Sequence, residues 1–147
     1  MREAIFALTH GELPERGLAR TLWQTVRDFR ERTGLDADLV LAGNEPRLSQ
    51  EAAEALLAAA REALANVEQH AHATSAVVSL RTTNSAATLV VQDDGVGPRP
   101  LVLRSIGSST RHFGLRGVRD RVRALGGSFT VRRGEDGGFV LRVRVAT

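Results

Sequence analysis

Arg61-Glu62-Ala63-Leu64-Ala65-Asn66-Val67-Glu68-Gln69-His70 lies in a stretch rich in alanine and leucine, with neither glycine nor proline. At the helical period of about 3.6 residues, Glu62, Asn66 and His70 recur at i, i+4 and i+8 and share one face. Leu56, Ala60, Leu64 and Val67 recur on another face and supply a stripe to bury. Ser49 stands where an N-cap belongs, with Glu51 and Glu54 near the positive end of the helix dipole, so a helix is predicted from there to about His70. An amide oxygen and a carboxylate on one helix face make a hard-oxygen donor set suited to Mg²⁺, which keeps several waters and accepts phosphate oxygens. The same spacing also describes an ordinary solvated face, and by itself it leaves both readings open.

A second segment, Asp93-Asp94-Gly95-Val96-Gly97, closes an apolar run of strand character. An aspartate followed by Gly-x-Gly at a strand end offers a carboxylate able to read a purine, beside backbone that a nucleotide can approach closely. A turn after a strand has the same composition. The third segment, Phe113-Gly114-Leu115-Arg116-Gly117-Val118, joins a long loop to a helix. Glycines at such a junction let backbone N–H groups reach phosphate, and the helix dipole favours negative charge there. Arg111, His112 and Arg116 could add charge-assisted donors. Proline at position 100, where a third glycine would stand, argues against a dinucleotide-binding turn.

Outward from these segments, residues 15–33 carry Leu18, Leu22, Val26 and Phe29 at helical spacing and stop at Gly34. Residues 35–42 alternate acidic and apolar side chains as a strand does. Strands are predicted at 76–82 and 86–92 around Thr83-Asn84-Ser85, and at 128–133 and 139–145 around the turn at 134–138. A helix over 115–125 ends at Gly126-Gly127. Residues 1–8 read as a short amphipathic helical piece, through Ala4, Ile5 and Leu8. Trp23 reads as half-buried packing. The order helix, strand, helix, two strands, loop, helix, two strands predicts an α+β fold: a two-layer sandwich with helices on one face of a mainly antiparallel, mixed sheet.

Composition narrows the function classes. At 147 residues with 42% hydrophobic and 25% charged side chains, the chain is long enough for one well-cored domain. Cysteine is absent, which excludes disulfides and thiolate metal sites. All 20 basic residues are arginine, so a Walker-type phosphate loop, which needs lysine, is excluded. A net charge of only +3 and 4% aromatic residues weigh against nucleic-acid binding. No apolar run approaches the roughly 20 residues of a membrane helix and no signal-peptide core opens the chain. The expectation is a soluble, cytoplasmic domain, compatible with a membrane-anchored parent.

Taken together and in this order, the three segments resemble the N, G1 and G2 boxes of the catalytic ATP-binding domain of bacterial sensor histidine kinases. Those domains belong to the GHKL superfamily, which shares the Bergerat ATP-binding fold with DNA gyrase. The N box matches 61–67 with His70-Ala71-His72-Ala73, the G1 box 91–97 and the G2 box 113–122. The form of the G2 box resembles that of kinases serving NarL/LuxR-type response regulators. The resemblance implies that Asn66 ligates Mg²⁺ and that Glu62 holds or activates a metal-bound water. It implies that Asp93 accepts the adenine amino group and that Gly95 and Gly97 line the nucleotide's path. Gly114, Leu115 and Gly117 would close over the phosphates, with Arg111, His112 and His70 near them. Residues from about 98 to 113 would form the ATP lid, with Phe113 as the one candidate for an F box.

What the resemblance does not find here is a phosphoacceptor histidine with its acidic neighbour. His10, followed by Gly11-Glu12-Leu13-Pro14, stands where a dimerising hairpin would exit. Residues 1–10 are therefore expected to be the tail of that hairpin and 11–147 the catalytic domain. On this reading the chain binds Mg-ATP and donates the γ-phosphate to a histidine outside itself, without autophosphorylating. The fragment would be a monomer and the full-length kinase a homodimer, with its own phosphotransfer hairpin and a response regulator as partners. Two alternatives share the sequence: a serine kinase of the anti-sigma type or an ATPase, and a non-catalytic nucleotide-binding interaction module.

Overall fold

Along each central strand, burial alternates, and the alternation decides which side of the sheet the helices take. The computed structural model describes residues 6–8, 13–70, 73–95, 113–135 and 137–147, with the backbone alone for Phe6–Leu8, His70 and Phe113. In chain order the elements are β1 (Phe6–Leu8), α1 (Leu18–Thr33), β2 (Asp36–Ala42) and α2 (Gln50–His70). They continue with β3 (Ser75–Thr82), β4 (Ala86–Asp93), α3 (Phe113–Ala124), β5 (Ser128–Arg133) and β6 (Phe139–Ala146). The strands form one sheet in the order β1-β2-β3-β4-β6-β5. β1 with β2 and β2 with β3 are parallel; the three other neighbouring pairs are antiparallel. This is the expected α+β sandwich on a mixed sheet.

Leu39, Val78, Val91, Leu141 and Val131 stand side by side in register on the inward face. The next inward row is Leu41, Leu80, Leu89, Val143 and Phe129. Leu22, Val26 and Phe29 of α1, Leu56, Leu64 and Val67 of α2, and Leu115, Val118 and Val122 of α3 join them in a single buried cluster. On the opposite face Val40 and Val77 remain 37% and 39% exposed, so no described element covers that side. At the strand ends nearest Asp93 the inward row thins to Ala76 and Ala37, which pair in register beside it.

Ser49 caps α2 as predicted, its hydroxyl accepting from Ala52 N–H at 3.1 Å. Gly34 closes α1 by donating to the Arg30 carbonyl at 2.9 Å. Two expectations are corrected. Phe6–Leu8 is not helical but an edge strand, in parallel register with Leu39, Val40 and Leu41. A short, uncapped piece cannot offset the cost of helix nucleation, whereas the edge of β2 offers ready backbone partners. Phe6–Leu8 thus belong to the same sheet as the other strands.

The second correction is the start of α1, which begins at Leu18 rather than residue 15 and has no local side-chain cap. Its first N–H groups are satisfied from afar. Glu45, in the loop before α2, accepts from Leu18 N–H at 2.5 Å and from Ala19 N–H at 3.3 Å. A carboxylate at the N-terminus also complements the helix dipole. Replacing this cap, Glu45→Ala, is expected to cost about 1 kcal/mol of stability, read as a lower urea midpoint with unchanged slope. An unshifted midpoint would show the cap to be inert.

Candidate functional site

Asp93 is the one buried charged side chain among the described residues, 5% exposed at the end of β4. Strand alternation points it inward, and the turn that follows closes over it. Its Oδ1 accepts from Gly95 N–H at 2.7 Å and from Phe139 N–H at 3.3 Å. Its Oδ2 is buried with no hydrogen-bond partner among the described residues. A buried acceptor left unpaired costs about 1–3 kcal/mol, so this atom marks a place for a further donor. Burial pushes the Asp93 carboxyl above its ordinary value, and the charge of Asp94 adds to the rise; the N–H groups of Gly95 and Phe139 oppose it.

Gly138 makes this geometry possible. A Cβ there would collide with the Asp93 main-chain carbonyl, so only glycine lets the start of β6 lie against the end of β4. Neither Gly138 nor the Phe139 N–H was legible in the sequence, because both come from a hairpin more than forty residues away.

The neighbouring carboxylate behaves in the opposite way. Asp94 is exposed and accepts from Thr74 Oγ1 at 2.6 Å, Thr74 N–H at 2.9 Å and Ser75 N–H at 3.0 Å. The Thr74 hydroxyl first, then the Ser75 N–H, hold it far below the usual carboxylate range. Two adjacent aspartates are thus pushed apart, one towards its neutral form and one firmly ionised.

Glu62 and Asn66 are both half-buried on α2, on the face the helical period predicted. The first turn of α3 meets Glu62: a Cβ on Gly114 would overlap its carboxylate as placed, the end of a flexible side chain that can swing aside. The first and third sequence segments are therefore in contact, as α2 and α3 pack together. Leu115 is buried in the core. A Cβ on Gly117 would stand in open space, so no described neighbour requires glycine there. His70 continues the backbone of α2. Gly97, Arg111, His112, His72, His10, the lid and the side chains of His70 and Phe113 lie outside the described residues.

No three His, Cys, Asp or Glu side chains among the described residues are grouped to hold a metal by themselves. One amide oxygen and one carboxylate still fit a cation such as Mg²⁺, which completes its shell with waters and phosphate oxygens. No described helix is long and apolar enough to cross a membrane.

Comparison with known proteins identifies the family and the fold. Residues 51–147 match the family model of the histidine kinase-, DNA gyrase B-, and HSP90-like ATPases. The signal transduction histidine-protein kinase/phosphatase DegS of Brevibacillus brevis is 28% identical over 99% of the chain and 36% of its own length. The nitrate/nitrite sensor protein NarX of Escherichia coli is 32% identical over 86% of the chain and 20% of its own length. The chain thus spans about a third or less of these relatives. Among solved structures, the mycobacterial sensor histidine kinase MprB has the same fold, with a TM-score of 0.67 at 15% identity, covering 89% of this chain and 96% of that one.

The raised Asp93 pKa has a definite sign for stability. The folded state takes up a proton at higher pH than the unfolded state, so stability falls as pH rises from the ordinary carboxylate value through the folded one. Asp93→Asn removes that ionisation and keeps an oxygen for Gly95 and Phe139. The stability of Asp93→Asn relative to the parent chain is expected to increase as pH rises from about 4 and to level off once Asp93 is ionised. A difference that falls with pH, measured by urea unfolding, would contradict the assignment of burial as the dominant cause.

Proposed function

Because the chain belongs to the histidine kinase-, DNA gyrase B-, and HSP90-like ATPases, we propose that it is the ATP-binding catalytic part of a two-component sensor histidine kinase. In this reading it binds Mg-ATP and presents the γ-phosphoryl group to a histidine on a dimerising hairpin that is not among the described elements. The observation that carries the reading is the buried, unpartnered Oδ2 of Asp93, on the inward side of the sheet that α2 and α3 also face.

The adenine amino group supplies the donor that Oδ2 lacks. Guanine would present a carbonyl oxygen to the same acceptor, and two acceptors repel, so selectivity for ATP over GTP follows from one atom. Asn66 would hold Mg²⁺ through its amide oxygen, and Glu62 would orient a metal-bound water. Gly95 and Gly97 would line the nucleotide, and the backbone of Gly114, Leu115 and Gly117 would close on the phosphates, with Arg111, His112 and His70 adding donors. The open space before Gly117 supports a ligand at that surface. Magnesium, when bound, offsets charge on the transferred group; the protein's own share is to position, orient and exclude water.

We further assign the partners as the kinase's own phosphotransfer hairpin and a NarL/LuxR-type response regulator, with a cytoplasmic domain, a monomeric fragment and a homodimeric parent. The serine-kinase alternative needs no helical tail of a dimerising hairpin, and Phe6–Leu8 is a strand. The relatives named above, both histidine-kinase or sensor proteins by name, weigh the other way.

Calorimetric titration with ATP and GTP, each with and without Mg²⁺, tests the proposal. ATP is expected to bind in a Mg²⁺-strengthened manner and GTP at least about tenfold more weakly. Asn66→Ala should abolish the Mg²⁺ effect and leave the fold intact by circular dichroism. Asp93→Asn should weaken ATP with or without the metal. Unchanged ATP affinity in Asp93→Asn would remove Asp93 from the site, and an undiminished Mg²⁺ effect in Asn66→Ala would remove the metal assignment.

A further inference from the structure

The nucleotide reading uses Asp93 and leaves Asp94 without a task, although Asp94 accepts three hydrogen bonds. Two of them, from Thr74 N–H at 2.9 Å and Ser75 N–H at 3.0 Å, fall on the same oxygen, Oδ1. The third, from Thr74 Oγ1 at 2.6 Å, falls on Oδ2. Asp94 also donates its own N–H to the Ser75 carbonyl at 3.2 Å, so the contact closes in both directions. Thr74 and Ser75 are where the chain re-enters the sheet after α2, the helix that carries Glu62 and Asn66. On its other side Asp94 is bonded to Gly95, whose N–H holds Asp93 Oδ1 at 2.7 Å.

We propose that Asp94 is a positioning residue: a carboxylate clasp that holds the exit of α2 against the loop after β4, so that the metal-side and adenine-side groups address one nucleotide. The inference rests on the nucleotide-binding reading above. Thr74 is independently tied to β2, its carbonyl accepting from Asp36 N–H at 3.1 Å. Ser75 pairs in register with Asp36, and β3 is laddered to β4 along its length. The sheet therefore has other supports at this corner. What Asp94 adds is the setting of the last residues before Gly95, and so of the Asp93 carboxylate. Three directional bonds from two N–H groups and a hydroxyl fix both carboxylate oxygens, which suits this positioning role.

The consequence is a split between affinity and stability. In Asp94→Ala all three bonds are lost. In Asp94→Asn the amide oxygen still accepts both N–H groups, and the amide nitrogen can donate to Thr74 Oγ1. Thr74→Val removes the hydroxyl alone. The test is calorimetric titration of the full chain and these three variants with ATP, alongside urea unfolding, with Glu45→Ala as a variant destabilised away from the site.

Asp94→Ala is expected to bind ATP about tenfold more weakly and Asp94→Asn within about threefold of the parent chain. Thr74→Val should fall between them, and Glu45→Ala should bind as the parent does despite its lower urea midpoint. If the parent binds ATP and Asp94→Ala or, should that variant not fold, Thr74→Val binds equally well, the clasp is overturned and the nucleotide reading stands. Asp94→Asn binding as weakly as Asp94→Ala would also overturn it, since charge rather than bond geometry would then be responsible. A parent chain that binds no ATP would overturn the nucleotide reading and the clasp with it.

Discussion

Holding a carboxylate out of water at the end of a strand, with one oxygen satisfied and the other left open, sets the conditions for everything around the site. Asp93 Oδ1 is answered by two main-chain N–H groups, one from its own turn and one from the hairpin between β5 and β6. Those donors require β6 to start hard against β4, and only the glycine at 138 permits that approach. Oδ2, unanswered by any described residue, is then a standing cost, and the compensating stability is found in the apolar rows beneath α1, α2 and α3.

Helix α2 serves both sides of this arrangement. One stripe, through Leu56, Leu64 and Val67 with the intervening alanines, is buried in the core and fixes the helix over the sheet. The face carrying Glu62 and Asn66 is only half-buried, and Glu62 lies against Gly114 in the first turn of α3. Because side chains on one helix keep their relative angle, burying the first stripe decides where the second points. Arg32, reaching from α1 to Glu68 with both carboxylate oxygens within 2.8 Å, ties α2 laterally at the surface.

The parts of the fold that were legible in the sequence are those governed by local pattern. Ser49 announces α2, Gly34 ends α1, and two apolar runs about Thr83-Asn84-Ser85 mark β3 and β4 before any tertiary contact is known. The site was legible to the same extent: Glu62 and Asn66 share a face because a helix has one period, and Asp93 closes a strand because an apolar run ends there. What failed was short or distant. Three residues of β1 are too few to carry a period, and their partner strand lies beyond an entire helix. Glu45 caps α1 from the far side of β2, which no capping pattern read along the chain detects.

The sequence by itself determined the class of the fold and the residue types carried by the three segments. Hydrophobic period and residue chemistry are local properties, carried in the order of the side chains. Tertiary structure alone decided that the two aspartates would differ: Asp93 turned inward and was stripped of water, whereas Asp94 stayed exposed and was clasped by Thr74 and Ser75. It also decided that Gly114 would rest on Glu62 and Gly138 on the Asp93 backbone. Burial and close approach depend on which distant backbone arrives at each position, and that is settled only when the sheet and its helices close around one core.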